Sequence, residues 1–398
     1  MGFSAERTAT TESRVISRRQ LLKQGGTGLG AAYLLSRPGL AWAFDSAPSQ
    51  EVIPWADPRP ESPMPDVIRN QPVWEELDSW ITPNERFFAI SRYGYVPELD
   101  PATWHLRVGG LVDNPMTLSL DDIQGRPHED VVFTLECAGT HGLPFLDTGI
   151  GNARWGGTPL ADLLEEAGIQ EDGVEVVFFG ADRGEEVVHD VTIQENFARG
   201  MSIEDAMNSG ALLTYEMNGE DLPARNGYPL RLIVPGWYGM ANVKWLERIE
   251  VHPSPYMGRF QADEYVTLRS EEQNGTTVWT RNAIGLNRLK SVPGRVSRTD
   301  DGYRIHGAAW GAPIERVEVR IDDGAWREAE IDRSNMAEHA WVFWSLSWQD
   351  ASSGEHRITA RAIDTAGNVQ PTHDDPMIAN KHTYWESNEQ VTRRIVLG

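Results

Sequence analysis

An α+β unit followed by an all-β sandwich is the fold class that this 398-residue sequence predicts. Three observations lead there. Up to about residue 255, short apolar strands alternate with capped helix signals; from about residue 275 only period-two strands between polar turns remain. The chain is also longer than one hydrophobic core usually organises, so two domains are expected.

The N-terminus is set apart from both. Ser17-Arg18-Arg19-Gln20-Leu21-Leu22-Lys23 carries a twin-arginine pair, an apolar run rich in Gly and Ala spans residues 29–40, and Ala41-Trp42-Ala43 offers small residues for cleavage. Residues 1–43 therefore read as a twin-arginine export signal, with a periplasmic or otherwise exported destination. The apolar run falls short of the ~20 residues that span a bilayer and is broken by Arg37 and Pro38, so stable membrane insertion is not expected. The twin-arginine route carries folded proteins, commonly with a cofactor in place. Residues 44–72, rich in Pro, Asp, Glu and Ser without periodicity, read as an extended arm.

The net charge is −23, and losing residues 1–43 removes six basic and two acidic residues, leaving about −27. Nucleic acid is excluded as a partner by that balance. Strong acidity fits a saline habitat or a basic redox partner equally well. Most of the fifteen tryptophans are expected in cores or interfaces.

Residues 73–255 form the first predicted domain. Thr82-Pro83-Asn84 favours a turn and Phe87-Phe88 an anchor in the core. Residues 106–112 read as a strand, and Ser119 caps a brief helix through Asp121 and Asp122. Leu160, Leu163, Leu164 and Ala167 share one helix face, with Thr158 as N-cap, Pro159 first and Gly168 as stop. Residues 174–179 form a strand ending at Gly180-Ala181-Asp182-Arg183-Gly184, Ser202-Ile203-Glu204-Asp205 starts a helix, and residues 211–217 turn at Asn218-Gly219 before a strand over 228–234. After a connector (256–274), residues 275–398 alternate as a sandwich does: Val317, Val319 and Ile321; Val342, Trp344, Leu346 and Trp348; Ile358, Ala360 and Ala362.

Cys137 is the sole cysteine of the chain. It closes a strand with Val131, Phe133 and Leu135 on one face and opens the loop Ala138-Gly139-Thr140-His141-Gly142, where a rigid support meets mobile backbone. Position alone suits a small buried hydrophobe as well as a ligand. In an oxidising compartment a lone cysteine makes no internal disulfide, and metal ligation becomes the better reading. A second concentration lies in residues 225–246, where Arg225, Arg231 and Lys244 sit among Gly-rich loops of an otherwise acidic chain. Guanidinium groups and glycine amides suit a phosphate-bearing cofactor, although strand-edge charge has the same composition. No P-loop or Rossmann fingerprint is present.

Leu135-Glu136-Cys137-Ala138-Gly139, Trp155-Gly156-Gly157, Gly227-Tyr228-Pro229-Leu230-Arg231 and Asn242-Val243-Lys244-Trp245-Leu246, in this order, resemble the sulfite oxidase family of molybdenum-cofactor enzymes. The resemblance covers roughly residues 66–396. It implies a molybdopterin-binding catalytic domain followed by an immunoglobulin-like dimerisation domain, and hence a homodimer. It further implies that Cys137 ligates molybdenum beside one pterin dithiolene, that Arg231 and Asn242, Val243 and Lys244 bind the pterin and its phosphate, that Asn226 and Asp182 take further cofactor positions, and that Trp155 and Tyr265 face the substrate. Tyr265 suits hydrogen bonding to an oxyanion, or equally a place in the core. The activity implied is two-electron oxygen-atom transfer to sulfite or a related sulfur compound.

The departures bear on substrate. Sulfite oxidases proper carry arginines where this chain has Ile90 and Gly142, and a histidine where it has Asn226; Arg92, His141, Arg154 and Lys381 are the candidate replacements for the missing charge. One cysteine leaves no haem-attachment or iron–sulfur motif, so neither haem nor an iron–sulfur cluster is expected, and electrons are expected to pass to a separate partner such as a cytochrome with a basic face. A reductase of S- or N-oxides on the same cofactor, and a non-catalytic binding or assembly protein, are the alternatives.

Overall fold

The computed structural model describes residues 51–398, and the expected export signal lies outside them. Among these residues no helix is long and apolar enough to cross a membrane. Strands dominate, with five short α-helices among the described residues, the α+β architecture expected.

Two sheets form the first part. One runs Glu220–Asp221, Leu212–Met217, Ile150–Pro159, Glu129–Glu136, all antiparallel, with Arg231–Ile233 also paired to Leu212–Met217. The other runs Met116–Ser119, His105–Gly110, Leu246–His252, Glu175–Val188, Val191–Ser202, with only the His105/Leu246 pair parallel. Leu106, Val108, Val176, Phe178 and Ile249 of the second sheet share one core with Leu213 and Leu232 of the first. The helix Leu160–Ala167 adds Leu160, Leu163, Leu164 and Ala167, all fully buried, each leucine contributing roughly 1.5–3 kcal/mol by leaving water.

That helix begins one residue later than its capping signal suggests. Thr158 pairs with Leu213 in the sheet, its hydroxyl is buried without a partner, and Pro159 takes the N-cap position. The Leu160 N–H is satisfied by the Ala211 carbonyl at 2.9 Å, so the ladder replaces the side-chain cap. Ser119 and Ser202 cap the helices Leu120–Gln124 and Ile203–Asn208 as their spacing predicts. The strand expected to stop at Phe179 continues to Val188, with a register shift between Phe179 and Arg183. Such an irregularity re-aims a side chain, and Asp182 sits within it. The expected strand over 228–234 is confined to Arg231–Ile233.

Residues 290–397 build the sandwich. Its strands run Val52–Ile53, Lys290–Thr299, Gly302–Trp310, Val342–Trp348, Arg327–Asp332, Ile314–Ile321, Gly354–Asp364, Val391–Leu397. Arg327–Asp332 pairs through its first half with Ile314–Ile321 and through its second with Val342–Trp348, and so passes between the two layers. Val296, Ile305, Val317, Val319, Trp344, Ile358, Ala360 and Ile395 fill the space between them. Described residues of the expected arm pair with this unit: Val52 and Ile53 with Ser297 and Val296, and Trp55 is buried beside Ile395. The expected 274/275 boundary falls on the Asn274-Gly275 turn of a hairpin, Val266–Gln273 with Thr276–Ala283.

Candidate active site

Glu129–Glu136, the strand that presents Cys137, is an edge strand of its sheet. Sandwich residues cover that edge. Thr134 N donates to the His339 carbonyl at 3.0 Å, Trp341 N to the Thr134 hydroxyl at 2.7 Å, and Glu386 N to the Ala138 carbonyl at 2.7 Å. Immediately before the cysteine, the fully buried Glu136 carboxylate accepts from Lys290 Nζ at 2.5 Å and Trp310 Nε1 at 2.7 Å. Burial pushes the Glu136 carboxyl up, and the Lys290 ammonium and the Trp310 N–H oppose it. The loop beyond is closed by Cys137 N donating to the Gly149 carbonyl at 2.7 Å.

Cys137 lines a cleft together with Asp182, Arg225, Asn226, Arg231, Asn242, Lys244, Arg92 and Tyr265. Burial raises its thiol to about 11, so an unligated sulfur stays protonated and is a poor nucleophile. Among the described residues no group of three or more His, Cys, Asp or Glu side chains could hold a metal, so a metal at Cys137 needs further ligands from a cofactor.

The cationic wall is under-compensated. Arg231 is buried; its terminal nitrogens donate to the Asn226 and Asn242 carbonyls at 2.7 and 3.0 Å, its Nε has no partner, and burial lowers it to about 9. Lys244 Nζ donates to the Arg225 carbonyl at 3.1 Å and the Ser91 hydroxyl at 3.4 Å; burial, then Arg231, lowers it to about 7. Asp182, the nearby carboxylate, is pushed up by burial, and its Oδ1 and the Asn226 Oδ1 are buried without partners. Carbonyl-bound cations and orphaned acceptors in one cleft fit an anionic ligand with hydrogen-bond donors, as a phosphate-bearing pterin is. The residues present therefore fit the molybdenum cofactor.

Not every expected residue reaches the cleft. Trp155, expected to face the substrate, is fully buried under Arg231, whose Cζ lies 4.9 Å above its ring, and edge-on to Phe87 at 5.6 Å; it is not part of the lining. Val243 is also absent from the lining, its side chain in the core and its carbonyl accepting from Leu232 N at 2.8 Å. Asn242 lines the cleft, but its amide is spent on Val234 N, Trp237 O and Tyr238 O, which makes it a brace for the loop. Tyr265 faces the cleft, 4.6 Å from the Trp385 ring, and burial raises its hydroxyl well above the usual range, so it stays a neutral donor.

Of the candidate replacement charges, only Arg92 lines the cleft. Arg154 is exposed, 4.0 Å from Asp130, and Lys381 donates to the Trp385 carbonyl and the Ser387 hydroxyl at 2.7 and 2.9 Å. His141 takes a left-handed backbone with φ 62° and is not in the lining. Ile90 adds an apolar wall. At Gly142 a Cβ would lie 1.8 Å from the Tyr384 carbonyl oxygen, so the C-terminal segment holds the space that a side chain would need. Gly142→Ala is expected to cost about 1–3 kcal/mol by overpacking, read from the urea midpoint; an unchanged midpoint would refute this contact.

The family described as "Oxidoreductase molybdopterin binding domain" matches residues 93–260, and "Mo-co oxidoreductase dimerisation domain" matches residues 290–385. Sulfite oxidase of Gallus gallus is 32% identical over 331 residues, covering 75% of this chain and 70% of that protein. The chain belongs to the sulfite oxidase family. Mitochondrial sulfite oxidase of Macaca fascicularis is 33% identical over 354 residues, 80% of this chain, and the chain spans 63% of that relative's length. The sulfane dehydrogenase SoxCD from Paracoccus pantotrophus shares the fold, with a TM-score of 0.70 over 94% of this chain and 96% of that one at 24% identity. For a sulfite oxidase family member, the site residue that sequence reasoning left unplaced is Arg92. Nothing in the local sequence marks it, and only tertiary structure brings it into the cleft that Cys137 lines.

Proposed function

We propose that this chain is an exported molybdenum-cofactor oxidoreductase that oxidises sulfite or a related sulfur compound and passes the electrons to a separate protein acceptor. The observation that carries the reading is the junction, in one cleft, of Cys137 with the under-compensated Arg231 and Lys244. Bound there, the cofactor would supply a two-electron metal centre, with Cys137 as its protein ligand and Arg231, Lys244, Asn226 and Asp182 around the pterin and its phosphate. For sulfite the balance is sulfite plus water giving sulfate, two protons and two electrons, the electrons leaving one at a time to a cytochrome-like acceptor. Tyr265 would donate its hydroxyl proton in a hydrogen bond to the oxyanion, while Phe88, Leu135, Phe197 and Met240 give the cleft apolar walls. Arg18-Arg19 support export, and the division into a catalytic unit over 73–255 and a dimerising unit from 275 completes the proposal.

A second reading, reduction of S- or N-oxides, is favoured by the uncharged Ile90 and the blocked Gly142, since a neutral oxide needs no anion clamp. Visible absorption of the mature protein decides between them. A thiolate-to-molybdenum band bleached by sulfite without added acceptor is the expected result. A band that sulfite leaves unchanged shifts the assignment to another substrate or to the reductase; no band in protein from molybdenum-replete cells removes Cys137 as a ligand.

A further inference from the structure

Arg199, in the strand Val191–Ser202, is 1% exposed and takes no part in lining the cleft. Among the described residues it forms no ion pair. One terminal nitrogen donates to the Phe260 carbonyl and the other to the Ile284 carbonyl at 2.8 Å, and its Nε is buried without a partner. Burial lowers it to about 10. An interior guanidinium without a carboxylate is costly, and an apolar side chain of like size would fill the space without that cost.

What the two carbonyls share is Tyr265. Phe260 precedes it in the short helix Arg259–Ala262, and Ile284 follows the hairpin of Val266–Gln273 with Thr276–Ala283 that Tyr265 opens. Ile284 N donates to the Tyr265 carbonyl at 3.1 Å, so these two residues form the root of the hairpin. Arg199 thus grips the chain on both sides of Tyr265 and ties it to the sheet. Gly200 N adds a bond to Gln261 Oε1 at 3.2 Å. Phe197, two residues earlier on the same face of the strand, lies 4.8 Å from the Phe260 ring and 6.3 Å from the Tyr265 ring. The return strand Thr276–Ala283 is mostly exposed, which leaves the placement of Tyr265 to this root and to the Trp385 ring. The contact is also electrostatic. The Arg199 charge acts on the Tyr265 hydroxyl, against the burial that raises it, and Tyr265 acts on Arg199 in turn. In a low-dielectric interior, a positive charge near a phenol polarises its O–H and makes it the stronger donor.

We propose that Arg199 is a positioning residue for Tyr265: it fixes the direction of the hydroxyl into the cleft and strengthens it as a hydrogen-bond donor, without touching substrate or cofactor. The proposal rests on the oxidase reading for the task given to Tyr265, while the clamp itself is independent of the substrate.

The test uses the cofactor-loaded full chain, labelled with meta-fluorotyrosine at position 265 for fluorine NMR, and unlabelled for steady-state oxidation of sulfite with ferricyanide as acceptor. The parent should give one narrow fluorine resonance, and Arg199→Met should shift and broaden it. The same variant should lower kcat/KM by roughly 10–100-fold, the scale of a misplaced reacting group, with pterin content and the thiolate-to-molybdenum band unchanged. Arg199→Lys, which keeps the charge and can reach one carbonyl, should recover part of both, and carries the same two readings if Arg199→Met does not fold. Tyr265→Phe should cost about as much alone as Arg199→Met, and only about twofold more when added to it, because the two residues act as a unit. A fluorine resonance that loss of Arg199 leaves in place overturns the proposal, and so do losses that multiply in the double variant. If the parent does not oxidise sulfite, the oxidase reading fails, while the fluorine resonance still decides the clamp.

Discussion

Cys137→Ser is expected to abolish turnover, by roughly a thousandfold or more, as removal of a group that acts in the chemical step does. The visible thiolate-to-metal band should vanish with it, because a serine oxygen replaces a soft sulfur donor. The fold should persist. The substitution shortens no packed chain, and the loop is closed by backbone bonds at Cys137 N and Thr140 N that serine keeps. Retained activity, or an unchanged spectrum, would sink the assignment of Cys137 as ligand. Pterin content measured in parallel separates loss of the metal bond from loss of the whole cofactor, since Arg231 and Lys244 are untouched.

Lys290→Met is the second large effect, and it reads stability. Lys290 and Glu136 are both wholly inaccessible to solvent. Removing the ammonium leaves a carboxylate buried with the Trp310 N–H alone. Breaking a buried pair in this way costs about 3–5 kcal/mol, much of a typical domain's stability. Urea denaturation should show the loss, and the double variant with Glu136→Leu should regain part of it, because two apolar side chains need no counterion. A single-variant loss below about 1 kcal/mol would mean that water or a neighbouring group replaces Lys290.

The fold was legible where local chemistry and tertiary pairing agree. The apolar face of Leu160–Ala167 repeats at helical spacing and is buried as that spacing requires. The alternating residues of Val342–Trp348 likewise turn Val342, Trp344, Leu346 and Trp348 into the sandwich. Legibility failed where pairing extends past burial. The strand Glu175–Val188 outruns its apolar residues because it continues as a hairpin with an exposed tip, where Val187 is 68% exposed, and hydrophobicity cannot mark an end that leaves the core. In the site, a lone cysteine and cations clustered in an acidic chain could be seen in one dimension. The side-chain directions of Trp155 and Val243 could not, since a motif fixes a position along a strand or loop and not the face it turns to. Arg92 was obscured for the converse reason: nothing local distinguishes it from a surface arginine.

The covering of the Cys137 strand by sandwich residues has a consequence for the order of biosynthesis. His339, Trp341 and Glu386 supply the bonds that close the strand's outer edge and the loop, and all three leave the ribosome long after Cys137. A nascent chain thus exposes an unfinished edge until Glu386 has emerged. The Cys137 edge and loop are therefore completed only when residues of the later sandwich unit have folded against them.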